Sequence, residues 1–360
     1  MTTKRKIGLT IVALLLTAGL VLFLLQDQLA QRAFDKAIAD NVGVDRSADL
    51  PDGIHVYVCG SGSPMPDADR AGPCLAVLAG RQGFVFDAGS GSIRKLGRMG
   101  FPMDRLQGAY LTHLHSDHID GLGELLLQAW IAGSRGTPLP VAGPSGTDKV
   151  IAGLAQVYEI DRGFRIAHHG PAVARPGGFG GSAQIINLGD GEASKPVYDQ
   201  GGVKITAIRV IHAPVSPAFG YRIDYKGRAV TISGDTIYAP DFVAASRGAD
   251  VMFHEALNPK MIGAMQAQLA KRGRADSAKI MADIPGYHAS PEDAARAARE
   301  SGVKSLVFYH MVPAPPVKLI ERLFVGDART AFGGDLRLAH DGMIVSLPAG
   351  SQSVNYSDGF

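Results

Sequence analysis

Apolar positions along the chain fall into three patterns. Residues 7–25 form an uncharged, mostly apolar run of 19 residues. A helix rises ~1.5 Å per residue, so such a run just crosses a hydrocarbon core ~30 Å thick. Short runs rich in β-branched and aromatic residues come next. Residues 55–58, 75–79, 84–86 and 108–112 predict strands in the first half, and 203–211, 220–224, 229–233, 250–253 and 305–309 predict them in the second. Residues 92–99, 122–132, 258–282 and 291–301 have helical patterns. The last has the best-defined start. Ser290 can cap it, Pro291 takes the first helical position, Asp293 can reach back, and Gly302 closes it. Residues 258–282 are open to three readings: a lid, a contact in a homodimer, or solvated surface. Residues 166–181 are rich in Gly and Pro and predict a loop. Two halves, each passing from strands into strand–helix alternation, predict a mixed α/β chain. Its two sheets should pack face to face with helices outside, as an αββα sandwich.

This pattern divides the chain into a polar segment 1–6, an apolar helix 7–25, and a short amphipathic helix with a linker over 26–50. One domain over 51–350 and a tail over 351–360 follow. Lys4, Arg5 and Lys6 precede the apolar run. The positive-inside bias then holds the N-terminus in the cytoplasm and puts the domain on the periplasmic side of an inner membrane, on a single-pass anchor. The alternative is secretion after cleavage of a signal peptide. Against it, the run exceeds a usual signal core, and Phe23-Leu24-Leu25-Gln26 is a poor small-residue cleavage site.

Composition adds two limits. Apolar residues make up 46% and charged residues 19%, which is globular and not disordered. Formal net charge is +2, so there is no strong basic field of the kind that grips nucleic acid by its phosphates. A small-molecule partner is the better expectation. Cys59 ends one predicted strand and Cys74 begins the next. Antiparallel neighbours could bring them within disulfide range, and an exported domain would permit the bond. Two small buried apolar residues remain an equal reading.

The chemistry concentrates in His113-Leu114-His115-Ser116-Asp117-His118. In an extended segment His113 and His115 project to one side, and Asp117 and His118 can turn toward a neighbouring point. Imidazole and carboxylate suit zinc, and also manganese or iron. Three further ligand-type residues, His212, Asp235 and His310, each lie just past an apolar run, so all could meet at one sheet edge. A two-metal site needs about this many ligands.

These residues and their surroundings resemble the ribonuclease Z and arylsulfatase branch of the metallo-β-lactamase superfamily over about residues 60–313. The resemblance rests on Gly60-Ser61-Gly62-Ser63-Pro64, Asp87-Ala88-Gly89, the His113 motif, Phe219-Gly220-Tyr221-Arg222 and Ser233-Gly234-Asp235-Thr236. His254-Glu255-Ala256 and His288 point to this branch. The resemblance implies two divalent ions, zinc first, with Mn2+ or Fe2+ as alternatives. His113, His115 and His212 would hold one ion, Asp117, His118 and His310 the other, and Asp235 would bridge them. It further implies that Asp117 orients the attacking water and His288 assists at the phosphate or protonates the leaving group. Glu255 would orient His288 or a ligand histidine, and Asp87 would stabilise loops. His254 is read as structural, and His55, His168, His169 and His340 as ordinary.

The expected reaction is attack of a metal-bridging hydroxide on a phosphodiester or sulfate ester. Enzymes of the ribonuclease Z type usually carry a long arm between the histidine and the aspartate that match His212 and Asp235. Here that interval is short and is used up by a strand pair. Ribonuclease Z-like processing of tRNA 3′ ends is therefore the alternative. A lactone or β-lactam hydrolase and a non-catalytic metal-binding envelope protein stand behind it.

Overall fold

The computed structural model describes residues 2–360; Met1, the first residue of the expected segment 1–6, lies outside them. The chain forms two units, residues 1–48 and 49–360. The first is built on a single helix, Thr3–Asn41, which is long and apolar enough to cross a membrane, a property it shares with signal sequences. The expected break after residue 25 is absent. No Gly or Pro occurs between Gly19 and Gly43, so nothing interrupts the helix until Gly43 adopts a positive φ of 75°.

The second unit contains fifteen strands. They are β1 (Gly53–Gly60), β2 (Cys74–Ala79), β3 (Gln82–Phe86), β4 (Leu106–Tyr110), β5 (Leu139–Gly143), β6 (Gly181–Ile185), β7 (Ser194–Gln200) and β8 (Val203–His212). Then come β9 (Val215–Tyr225), β10 (Arg228–Ile232), β11 (Val251–Leu257), β12 (Ser305–Val312), β13 (Asp335–Leu338), β14 (Met343–Pro348) and β15 (Asn355–Asp358). One sheet has the order β15-β14-β1-β2-β3-β4-β5-β6, the other β13-β12-β11-β10-β9-β8-β7. Strand alternation shows how they pack. In β1, Ile54, Val56 and Val58 join the core between the sheets, while Tyr57 and Cys59 face an outer layer. That outer layer includes helix Leu122–Ile131 through Leu122, Leu125 and Leu126. On the other side, Met252, Leu306 and Phe308 meet Ala294 and Ala298 of helix Pro291–Ser301. This is the expected αββα sandwich, and both faces of each central sheet region are buried.

Strand direction gathers the chemistry. β10, β11 and β12 run parallel, with Ile232 opposite Phe253 and Glu255 opposite Tyr309. β8 has the same direction as β10, because β9 pairs antiparallel with both. In the first sheet β3 and β4 are parallel, with Phe86 opposite Tyr110. The carboxyl ends of these strands open onto one rim, the usual place for a ligand in such sheets.

The structure corrects three further boundaries. The expected tail 351–360 holds β15, which pairs with β14, because Val354 and Tyr356 pack against the inter-sheet core. The expected loop 166–181 begins inside helix Glu159–His169. Residues 258–282 form two helices, Pro259–Lys271 and Ala275–Asp283, divided at Gly273, whose φ is +70°. Cys59 and Cys74 form a disulfide across the bulged end of the β1–β2 pair, closing residues 60–73 into a loop.

Candidate metal centre

His113 to His115 leave β4 in an irregular stretch, and a one-turn helix, Ser116–Ile119, carries Asp117 and His118. The second sheet brings His212 from the end of β8, Asp235 from just beyond β10, and His310 from β12. All seven candidate donors converge. Donor atoms of His113, His115, His212 and Asp235 lie within 4.8 Å of one another, and so do those of Asp117, His118 and His310. Asp235 touches both groups. Its Oδ2 is 3.8 Å from His113 Nε2 and 3.5 Å from His310 Nε2, and its Oδ1 is 3.4 Å from His118 Nε2.

Outer hydrogen bonds choose which nitrogen each ring turns inward. Asp87 accepts from Thr112 N, Thr112 Oγ1 and His118 Nδ1, each at 2.8 Å. Because the threonine hydroxyl already donates to Asp87, it accepts from His113 Nδ1 at 3.0 Å. His212 Nδ1 donates to the Tyr287 carbonyl at 2.9 Å. His113, His118 and His212 are thus fixed with Nε2 toward the centre, while His115 turns Nδ1 toward His113 Nε2 at 3.0 Å. Asp87 therefore sits beneath the centre as a support, as expected for a loop-stabilising residue. Local backbone shape is forced as well. Asp87 and His310 have φ of 55° and 44°, a left-handed conformation that side chains rarely adopt. A Cβ on Gly89 would come within 2.4 Å of the Asp117 carbonyl, so the Asp87-Ala88-Gly89 turn needs that glycine.

The donor set fits divalent ions on its own geometry. His118 Nε2 and Asp235 Oδ1 are buried, face each other, and have no hydrogen-bond partner. Buried polar atoms are rarely left so without a ligand to meet them. Charge is unevenly held in the cluster. Burial drives the His113 imidazole well below its ordinary range, with His118 adding to the effect against the pull of Asp235. Burial would lower His118 too, yet the Asp235 and Asp87 carboxylates hold it well above. Burial would raise Asp235, and His310 and His118 instead hold it well below.

Beside the donors stands a second pair. His288 Nδ1 donates to Glu255 Oε1 at 2.9 Å. The same oxygen accepts the backbone N–H of Thr236 at 3.0 Å and of Ala289 at 3.2 Å. Glu255 is fully buried and ties the His288 loop to the segment after Asp235. Burial would lower the His288 imidazole, but the Glu255 carboxylate raises it to about 9. Dications nearby would pull it back toward neutrality. His288 and His310 rings stack at 5.7 Å, and His288, His310 and Asp235 form a third group of close donor atoms. His254 points away into the helical layer, where it packs on Phe242.

Two supports had no signal in the sequence. Asp341, buried after β13, accepts from Ser61 N at 2.8 Å, Ser61 Oγ at 2.7 Å and Ala71 N at 2.6 Å, and pairs with Lys95. Lys95 also donates to the Asp69 carbonyl. Together they fix both ends of the loop that the disulfide closes.

Comparison with known proteins accords with this geometry. The family model of the beta-lactamase superfamily domain matches residues 83–311. The ribonuclease Z of Mycobacterium marinum (strain ATCC BAA-535 / M) is 34% identical over 290 residues, which is 80% of this chain and 96% of that protein. The ribonuclease Z of Mycobacterium avium (strain 104) is 35% identical over 263 residues, 72% of this chain and 87% of that one. Among solved structures, the metallo-beta-lactamase fold protein YhfI from Bacillus subtilis superposes with a TM-score of 0.56 at 23% identity, covering 82% of this chain and all of that one. The short form of human tRNase Z gives the same score and identity over 82% of this chain and 99% of its own. A buried histidine–aspartate cluster at the rim of an αββα sandwich, and relatives matched over most of their length, place the chain in the ribonuclease Z branch of the metallo-β-lactamase superfamily, as a metal-dependent hydrolase.

Proposed function

We propose that the protein is a phosphodiesterase using two divalent ions, zinc before manganese or iron(II). The observation that carries this reading is Asp235, one buried carboxylate within reach of both donor groups, with the His288–Glu255 pair at its side. His113, His115 and His212 would hold one ion, Asp117, His118 and His310 the other, and Asp235 both. Bound there, the ions acidify a water toward neutrality and offset charge on the phosphate. The chain's own residues complete the chemistry. Asp117 borders both the donor cluster and the solvent-facing cavity, so its carboxylate can orient the water. Glu255 holds Nδ1 of His288, which leaves Nε2 to pass a proton to the departing oxygen. Names of the curated relatives favour a phosphodiester over a sulfate ester.

The same relatives support a second reading, an endoribonuclease acting on tRNA. Two features favour a small substrate instead: the formal net charge of only +2, and an interval from His212 to Asp235 filled by β9 and β10. The helix Thr3–Asn41, with Lys4, Arg5 and Lys6 at its start, would anchor the domain on the periplasmic side, and the disulfide is in keeping with that side.

The test is one panel of bis(p-nitrophenyl) phosphate, an aryl sulfate, a lactone and a pre-tRNA, each with zinc or manganese. Phosphodiester turnover in excess of the others is expected. His288→Ala should lower kcat about 10²- to 10⁴-fold with metal content unchanged. Turnover of the sulfate or lactone alone, or an unaffected His288→Ala, would overturn the reading.

A further inference from the structure

Two cavities share a wall at the rim of the centre. The first, about 400 Å3, is bordered by the donor Asp117 together with Asp120, Ser90, Arg70 and Lys95. It is the polar approach to the cluster. The second, about 290 Å3, shares Ser63, Met65, Pro66 and Asp67 with the first. Its other walls are Met265, Met281, Pro313 and Ala314. Pro313 and Ala314 lie three and four residues beyond His310, so one strand end lines this cavity and supplies a donor to the centre.

The second cavity is apolar by construction. Met65 and Met281 pack on a small buried cluster of Leu257, Ile262, Ile284 and Val312. Asp67 contributes little free polarity. Its carboxylate accepts the backbone N–H groups of Asp69 and Arg70 and the Arg70 guanidinium. Arg70 in turn donates to the Pro315 carbonyl, which joins the loop wall to the wall beyond β12. Ser63 is then the one polar side chain left uncommitted among those lining the cavity. A nucleobase placed here would leave most of its hydrogen-bonding edge unpaired, a costly burial. Methionine side chains are flexible and polarizable, and they adapt to aryl and alkyl shapes alike.

We propose that this second cavity is a subsite for an apolar organic group of the ester, an aryl ring or a short alkyl chain, while the phosphate occupies the first. The inference rests on the phosphodiesterase reading and sharpens it. The substrate has an anionic phosphodiester centre bonded to an apolar alcohol or phenol, with no nucleoside in this cavity.

Phosphonates test the subsite without turnover. Zinc-loaded full-length protein in lipid nanodiscs is titrated calorimetrically with methyl-, butyl- and phenylphosphonate and with uridine 5′-monophosphate; empty nanodiscs serve as the blank. Each buried methylene is worth roughly three- to fourfold in affinity, so butylphosphonate should bind at least about tenfold tighter than methylphosphonate. Phenylphosphonate should gain similarly. Met281→Glu should bring the butyl-to-methyl ratio to within about twofold of one. Met265→Ser, at a position already 37% exposed, should lower the ratio at least about threefold and guards against a folding defect in the first variant. If methylphosphonate binds and butylphosphonate binds no tighter, the subsite falls alone. Tighter binding of uridine 5′-monophosphate than of either apolar phosphonate also overturns it. If no phosphonate binds the metal-loaded protein, the phosphodiesterase reading falls and takes the subsite with it.

Discussion

The first sheet sends four donor residues to the centre from one six-residue segment, whereas the second sends three from strand ends spread between His212 and His310. Their supports differ in the same way. Asp87 reaches the first group through Thr112 and His118, close by across a parallel strand pair. Glu255 holds the second region by joining the backbone at Thr236 and Ala289. Local chain geometry sets the first half, and strand order sets the second. One half is thus a motif and the other is a product of the fold, and Asp235 is where they meet.

Asp235→Asn attacks that meeting point. It should cost both ions and lower kcat/KM by on the order of 10³, read by metal analysis and by phosphodiester turnover. Full retention of one ion would show that the halves bind independently. Next in size is a matched pair. Asp87→Asn should weaken metal affinity about 10- to 100-fold, because His118 loses the partner that fixes its inward nitrogen. Glu255→Gln should instead lower kcat through His288 and leave metal affinity much less affected. Metal titration alongside steady-state kinetics separates the two, and the same profile for both variants would erase the distinction.

Legibility followed the same division. His113 to His118 could be read directly, because four ligand-type residues are packed into one short segment. His212, Asp235 and His310 emerged only as residues ending apolar runs, and their convergence depends on β8, β10 and β12 pointing the same way. Asp341 and Lys95 left no trace, since a lone aspartate after a turn has no pattern. Only the pairing of β1 with β14 and β2 brings Asp341 to Ser61 and Ala71. Six strands, β5, β6, β7, β13, β14 and β15, carry no prediction from the sequence pattern; of these β6 and β15 lie at the edges of the first sheet, largely exposed and with few apolar residues.

Smaller effects probe the scaffold. Cys59→Ser with Cys74→Ser should lower unfolding free energy by about 3 kcal/mol, the chain-entropy value for a loop of roughly 15 residues, measured by urea denaturation. A smaller loss would show that Asp341 already orders the loop. The smallest effect concerns one buried histidine in each sheet, His55 on β1 and His254 on β11. Burial lowers the pKa of both. Their contribution to stability is fully present above the unfolded value of about 6.5 and is lost as pH falls through the lowered folded value. Urea midpoints should therefore fall between pH 8 and pH 5, and His55→Gln or His254→Gln should flatten the slope. An unchanged slope in both variants would assign acid sensitivity to the centre alone.

The disulfide has one more consequence. Residues 60–73, which it closes, supply the wall shared by both cavities. In a reducing compartment the two sulfurs would be thiols, and the loop would be held by Asp341 and Lys95 without its covalent link. The rim around the substrate would then be looser than it is in an oxidising compartment. The redox state of the compartment would thus set how firmly the rim around the substrate is held.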